Sequence, residues 1–475
     1  MKHPLELTGK QFQALHRQAV ERLSEFIDTL DQQAVDTSDA VLPADLELQS
    51  LPTAPHSFEH LLAEIFDKAE RASLNAAAPG FMGYVPGGGL THAGLADLIS
   101  DTLNRFVGIA AVAPALSQIE ASVVQWFCEI VGYPAGAGGF LTSGGSLANL
   151  SAVITARTHQ LGEDFQQGVI YASDQSHHCV AKAALMAGIK PAHLRLINSD
   201  ADCRLPIAEL NAAIAADRAR GLTPFLVVAS AGTTNTGAVD PLDALADLCE
   251  ARSLWFHVDA AYGGFFRLTQ RGARALKGIE RADSIVLDPH KTLFLPYGTG
   301  ALLVRKPNHL RAAHGVSTSA RLSAHYLPDT QTDQQVVDFC DLSPELTRPF
   351  RGLRVWLPMM LHGVEAFRDC LDEKLDLAQW ITKKISELEQ LSIIAQPQLS
   401  ILACVVQHPD GPTQDHHTEQ LMHFINRANR THLTSTRLQG RLALRIAIVN
   451  FRTHRPHLEA LLEDLTAGLK QIKTV

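Results

Sequence analysis

Two short runs of this 475-residue chain bring together residue types that act on carbonyl compounds. Asp288-Pro289-His290-Lys291 ends one strand-like apolar segment, and His257-Val258-Asp259-Ala260-Ala261 ends another. In a mostly parallel sheet both ends lie on the ligand-binding edge, an amine beside a carboxylate. An amine condenses with an aldehyde, and a carboxylate keeps a basic ring nitrogen protonated. Pyridoxal 5'-phosphate carries both groups, so the pair predicts that cofactor. Lys291 leads into Leu293-Phe294-Leu295, where desolvation is expected to lower its pKa and favour imine formation. Asp259 is set among small and apolar residues, where a carboxylate without a cation is costly and a pyridinium would supply one.

Three further runs could complete such a site. Leu141-Thr142-Ser143-Gly144-Gly145-Ser146 leads into a helical pattern; glycines let backbone approach an anion, and Ser146 with the first free amides can donate to phosphate. By itself the run reads more readily as a Gly-rich turn with a serine cap. Ser173-Asp174-Gln175-Ser176-His177-His178 joins a strand end to a helix start. One histidine there can stack on a pyridine ring; two adjacent ones cannot, and His178 is expected to be exposed. Ala231-Gly232-Thr233-Thr234-Asn235-Thr236-Gly237 is a turn rich in small hydroxyl residues, able to contact a cofactor or simply to turn the chain.

These runs must be held by regular elements. Strand-like segments at Val169–Ser173, Phe225–Ala229, Leu254–Val258, Ser284–Leu287 and Gly300–Val304 alternate with Ala- and Leu-rich stretches, the α/β pattern of a mostly parallel sheet flanked by helices. Apolar residues at helical spacing from Gln11 to Leu30, and a second run from Phe58 to Ser73, predict an N-terminal arm too short to bury its own faces, which implies a partner subunit. Beyond Phe350 a long helix, strands at Ile401–Gln407 and Leu442–Val449 and a helix near Gln420–Ala428 predict a smaller α+β domain. The expected division is 1–85, 86–345 and 346–475.

A net charge of -9, from 41 basic and 50 acidic residues, provides no basic stripe for nucleic acid. No apolar stretch approaches a membrane span, and the N-terminus lacks a signal-peptide pattern. Seven dispersed cysteines, without metal-type spacing, read as reduced thiols; a cytoplasmic protein without a metal is expected.

Taken in order, the motifs resemble the group II pyridoxal-phosphate-dependent amino-acid decarboxylases, the family of aromatic-L-amino-acid, histidine and glutamate decarboxylases, over nearly the whole chain. The resemblance implies fold type I, a homodimer with shared active sites and an arm wrapped on the partner. It implies that Lys291 is the Schiff-base lysine, Asp259 the pyridinium partner and His177 the ring-stacking histidine. Ala261 and Thr234 match cofactor contacts, and Gly145, Ser146 and His290 match phosphate-binding positions. Asp288 departs from the pattern: aromatic decarboxylases usually carry asparagine there, and a carboxylate would repel phosphate. Ser323-Ala324-His325-Tyr326-Leu327 resembles the catalytic loop, with Tyr326 the implied proton donor and Phe339 a competing placement. Arg445 matches a residue that can face the substrate carboxylate, although an ordinary strand-end ion pair is the alternative. Phe81-Met82-Gly83-Tyr84-Val85-Pro86 resembles a substrate-lining stretch in which Tyr84, Val85 and Pro86, with Ile109, face the side chain; Val85, Ile109 and Ala76 stand where aromatics are frequent. The expected activity is that of a carboxy-lyase on an L-amino acid with an aromatic or bulky apolar side chain, yielding amine and carbon dioxide. The other outcomes considered are decarboxylation with oxidative deamination to an aldehyde, and amino transfer.

Overall fold

The computed structural model describes residues 3, 5–36, 50–315 and 337–472. An N-terminal helix, α1 (Gly9–Thr29), starts at a capping box in which Thr8 and Gln11 satisfy each other's free backbone amides. It has no buried residue and exposes Val20, Leu23 and Ile27. Then α2 (Phe58–Ala63) continues into a wider π-helical turn, Glu64–Ala69, so the helical run expected from Phe58 to Ser73 changes its winding midway. Two longer helices, α3 (Thr91–Leu103) and α4 (Pro114–Val131), lead to the first strand.

Among the described residues the central sheet has seven strands: β1 (Gly138–Thr142), β2 (Gly168–Ser173), β3 (Leu194–Ile197), β4 (Thr223–Ser230), β5 (Trp255–Asp259), β6 (Ser284–Leu287) and β7 (Gly300–Val304). Their spatial order is β1-β7-β6-β5-β4-β2-β3. Only β7 runs against its neighbours, pairing antiparallel with both β1 and β6. Strands β2, β4, β6 and β7 are buried along nearly their whole length, which explains why they read as unbroken apolar runs. The crossovers α5 (Gly145–Leu161), α6 (Cys179–Met186), α7 (Ile207–Ala219) and α8 (Leu242–Arg252) separate the parallel strands. Strands β1 and β3 escaped the sequence reading: β1 is masked by its Gly-Gly start, and β3 is a short edge with intermediate burial.

A 36-residue helical segment, Arg351–Ser386, then connects to a second, antiparallel sheet. It bends at Gly363, whose φ of 71° is open to glycine and costly for other residues. The second sheet has the order β10-β11-β9-β8, with β8 (Leu391–Ala395), β9 (Ile401–Val406), β10 (Thr434–Leu438) and β11 (Arg441–Ala447). Its core of Leu402, Cys404, Leu444 and Ile446 packs with Leu421 and Ile425 of the helix Gly411–Ala428 and Leu458 and Leu461 of the helix Arg455–Gln471. The former starts well before Gln420, because Asp410 caps Thr413 N and Pro412 occupies the first turn. All seven cysteines are free. Among the described residues no helix is long and apolar enough to cross a membrane.

A buried ion pair fixes the long helix against the large sheet. Glu120 of α4 and Arg348 are both fully enclosed and paired. Arg348 Nη2 donates to Leu141 O at 2.8 Å, and Gly352 N donates to Glu120 Oε2 at 3.2 Å. Removing one partner would strand the other charge without water, at a cost of about 3–5 kcal/mol. Glu120→Ala is therefore expected to lower the thermal unfolding midpoint clearly. Glu387→Ala, which breaks an exposed pair with Lys384, should leave the midpoint nearly unchanged, because solvent already screens those charges.

Candidate active site

The carboxyl ends of β1, β2, β4, β5 and β6 converge on one cavity of ≈ 310 Å³. Lys291, Asp259, His177, Gly145, Ser146, Thr234, Ala261 and His290 all line it, together with Asn149, Cys179, Tyr262 and Asp288. Lys291 sits on the short helix Pro289–Thr292 that follows β6. Its Nζ lies 2.9 Å from Asp288 Oδ2. Burial opposes its charge, but the carboxylates of Asp288 and Asp259 outweigh burial and raise the pKa above the ordinary lysine value. This corrects the expected depression: the two acidic neighbours, one only three residues away in sequence, hold the amine as ammonium in the cofactor-free chain.

Asp259 ends β5 and is oriented from both sides. Its Oδ1 accepts from Ala261 N at 3.1 Å, and its Oδ2 accepts from Asn149 Nδ2, also at 3.1 Å. Asn149 also donates to Gly145 O at 3.0 Å, one helical turn back. The amide oxygen of Asn149 faces His257 Nε2 at 2.9 Å, and His257 Nδ1 lies 2.8 Å from Ser284 Oγ, which accepts from Trp255 Nε1 at 2.8 Å. Hydrogen-bond inventory gives this chain a direction. A carboxylate only accepts, so Asn149 turns its NH₂ to Asp259 and its oxygen to His257, whose Nε2 must donate. His257 Nδ1 then accepts from the Ser284 hydroxyl. Burial pushes the His257 pKa down to about 4 against the pull of Asp259, so the ring is neutral at pH 7 and adds no competing cation.

The remaining cavity wall comes from turns. Gly145 starts α5 with its Cα against Asp288; an added Cβ would lie 2.9 Å from Asp288 Oδ2 and 3.3 Å from the Ala261 Cβ. Close approach thus requires glycine here. His177 lines the cavity with its pKa lowered by burial, Asp259 opposing, and its Nδ1 accepts from Cys179 N at 3.3 Å. His178 is exposed, as expected from the sequence. His290 Nδ1 donates to Thr299 O at 2.7 Å.

The residues assigned to the substrate lie elsewhere in this chain. Arg445 is 3% exposed and outside the cavity lining. Its Nε donates to Thr234 O at 2.8 Å and its Nη1 to Tyr84 O at 2.7 Å, while Nη2 has no hydrogen-bond partner among the described residues. Desolvation lowers its pKa to about 10. The strand-end ion pair is therefore replaced by a clamp on two backbone carbonyls. Tyr84, at φ 41°, is 63% exposed. Val85 packs on the main core, and Pro86 lines a second, apolar cavity of ≈ 300 Å³ that shares His290 with the first. Ile109 is buried. Phe339 is buried beneath the Arg348 guanidinium, 5.0 Å from the ring centre, away from Lys291. Tyr326 and its loop lie outside the described residues.

Asn149, His257 and Ser284 were not singled out in the sequence. The signals were present: His257 shares a strand face with Asp259 two residues on, and Asn149 stands one helical turn after Gly145.

The cavity suits pyridoxal phosphate: an amine, an oriented carboxylate, a ring histidine and a glycine-lined helix start surround one space. Residues 43–406 match the pyridoxal-dependent decarboxylase conserved domain. The chain is 31% identical over 477 residues to an aromatic-L-amino-acid decarboxylase of Bacillus atrophaeus, covering 99% of this chain and 98% of that one. It is 27% identical to a phenylacetaldehyde synthase of Petunia hybrida, over 95% and 93% of the two chains. The crystal structure of Oryza sativa TDC with PLP superposes with a TM-score of 0.89 at 25% identity, covering each chain fully. The chain belongs to the pyridoxal-dependent decarboxylase family. It is a pyridoxal-phosphate-dependent amino-acid decarboxylase of the α/β, fold type I architecture.

The neutral state of His257 has a measurable consequence. With a native pKa near 4 against an ordinary 6.5, the unfolded chain binds the extra proton first as pH falls. Stability should drop between about pH 6.5 and 4 and level below. His257→Gln, which retains an amide donor but not the titration, should flatten that part of the stability profile measured by thermal unfolding. An unchanged slope would contradict a buried neutral His257.

Proposed function

We propose that this chain converts an L-amino acid with an aromatic or bulky apolar side chain into the corresponding amine and carbon dioxide. The observation that carries the reading is the meeting of Lys291, Asp259 and His177 in one cavity. The substrate class is supported by the relatives, which include an aromatic-L-amino-acid decarboxylase and a phenylacetaldehyde synthase.

When bound, the cofactor supplies an aldehyde for attachment and a cationic ring that accepts the electron pair left by departing carbon dioxide. The protein's part is to hold and to protonate. Lys291 would provide the amine to which the cofactor's aldehyde attaches. Asp259, fixed by Asn149 and Ala261 N, keeps the ring nitrogen protonated. His177 would cover one ring face, with Ala261 and Thr234 as further contacts, and Gly145, Ser146 and His290 would form the phosphate cradle. Tyr326 delivers the proton that replaces the carboxylate on the α-carbon. Tyr84, Val85, Pro86 and Ile109 lie outside the cofactor cavity of their own chain and are assigned to the side-chain pocket of the shared, dimeric site, and Arg445 acts by holding Tyr84 and Thr234 through their carbonyls.

The site is read as complete only in a homodimer with shared active sites. Exposed Val20, Leu23 and Ile27 on α1, with Leu95, Leu98 and Ile99 on α3, offer apolar surface for the partner. The division 1–85, 86–345 and 346–475 and a cytoplasmic location belong to the same reading. The resemblance to a phenylacetaldehyde synthase supports a second outcome: dioxygen intercepts the reaction before α-carbon protonation and is reduced to hydrogen peroxide, one water is consumed, and the other products are aldehyde, carbon dioxide and ammonia.

Incubation with a panel of L-amino acids, scoring carbon dioxide, amine, aldehyde and peroxide separately, decides between them. Amine with equal carbon dioxide from aromatic substrates is expected; aldehyde with peroxide in place of amine would overturn the amine assignment. Asp259→Ala should lower kcat by at least about a hundredfold, because the ring then loses its oriented counter-charge.

A further inference from the structure

We propose that Arg452 is a positioning residue for the substrate side chain: it holds the glycine strap 87–89 against the short helix that carries Lys291, and so sets affinity for the amino acid without acting on the cofactor. The inference deepens the proposed function and rests on the assignment of Tyr84, Val85 and Pro86 to the side-chain pocket.

Three consecutive glycines, Gly87, Gly88 and Gly89, follow Pro86. With Pro86 they line the apolar cavity of ≈ 300 Å³ that shares His290 with the cofactor cavity. Gly88 and Gly89 have positive φ, 93° and 70°. A glycine strap has no side chains with which to anchor itself, and glycine backbone loses the most conformational freedom when it is fixed. Its position must therefore come from hydrogen bonds to its own carbonyls and amides.

The turn Asn450-Phe451-Arg452-Thr453, between β11 and the helix Arg455–Gln471, supplies them. Arg452 Nη1 donates to Gly88 O at 2.6 Å and reaches Ala77 O at 3.4 Å, while Nη2 reaches Gly89 O at 3.4 Å. Phe451 N donates to Gly87 O at 3.2 Å. Asn450 Nδ2 donates to Ala78 O at 2.9 Å and Thr453 Oγ1 to Pro79 O at 2.6 Å, which fixes the chain that enters the pocket wall. The Arg452 guanidinium also lies over the Phe451 ring, 4.2 Å from its centre. On the opposite side Gly87 N donates to His290 O at 3.3 Å, and a Cβ on Gly87 would lie 2.3 Å from Lys291 O. The strap is thus pressed between Arg452 and the Lys291 helix.

Arginine suits this task because its planar fork directs donors at successive carbonyls, whereas an ammonium is a compact point charge. Arg452 lines neither cavity, so its effect on the substrate passes through the strap. Asn450 sets the opposite limit: a Cβ on Gly88 would lie 2.1 Å from Asn450 Oδ1.

Arg452→Lys keeps the charge and removes the fork. Steady-state kinetics with the aromatic amino acid that the wild type turns over best should show KM raised about tenfold and kcat within about twofold, the pattern of lost uniform binding. The Kd of pyridoxal phosphate, read from the visible absorbance of the bound cofactor, should stay within about twofold. Hydrogen exchange of peptides spanning 76–90 should quicken while the rest of the chain keeps wild-type rates. Gly88→Ala, which drives the strap off Asn450 and leaves Arg452 in place, should raise KM likewise and keeps the test independent of the folding of the first variant. A lowered kcat with unchanged KM would overturn the proposal, since a misfolded fraction removes sites without weakening those that remain. Unchanged exchange of the strap, or a cofactor Kd weakened in step with KM, would overturn it too. If the wild type turns over no aromatic or bulky apolar amino acid, the proposed function fails and this proposal with it; an unchanged KM in an active variant removes this proposal alone.

Discussion

Two carboxylates facing one ammonium in a single cavity form the constraint on which this site depends. Asp259 and Asp288 both act on Lys291 and raise its pKa despite burial. Such a cluster is stable only while each charge has a fixed counterpart or hydrogen-bond donor. Asp288 has Lys291 at 2.9 Å; Asp259 has Asn149 and a backbone amide. The unmet balance is an acidic edge prepared for a cationic ring.

The fold maintains that edge by placing the ends of parallel strands side by side. Asp259 closes β5 between β4 and β6, in register with Ser230 and Val286. The chain from Trp255 through Ser284, His257 and Asn149 then ties β5, β6 and α5 to the carboxylate. A neutral imidazole in the middle of that chain transmits orientation without charge, which suits a group whose own charge must be kept for the ring nitrogen. The antiparallel β7 adds Thr299 at the same edge, where its carbonyl orients His290.

Much of this was legible in the sequence, and the limits have physical causes. The five predicted strands of the large sheet lie within the observed ones or within a residue of them, because buried strands carry continuous apolar runs bounded by turns. Lys291, Asp259 and His177 could be singled out because their residue types have few roles at a strand end. The Asn149–His257–Ser284 chain could not be read as a unit: its members become neighbours only when α5 crosses β5 and β6. The Lys291 pKa was misjudged in sign because apolar neighbours in sequence suggested desolvation alone, whereas the Asp288 carboxylate folds back over one short helical turn. Arg445 likewise needed the fold, since its partners, Thr234 O and Tyr84 O, are backbone atoms from distant segments.

The central claim is that Lys291 is the amine that holds the cofactor at this edge. Reduction of the pyridoxal-phosphate-loaded protein with borohydride, followed by proteolysis and mass spectrometry, tests it directly. A phosphopyridoxyl group on the peptide containing Lys291, at near-stoichiometric yield, is the expected result. Modification spread over surface lysines, or confined to another lysine, would contradict the account.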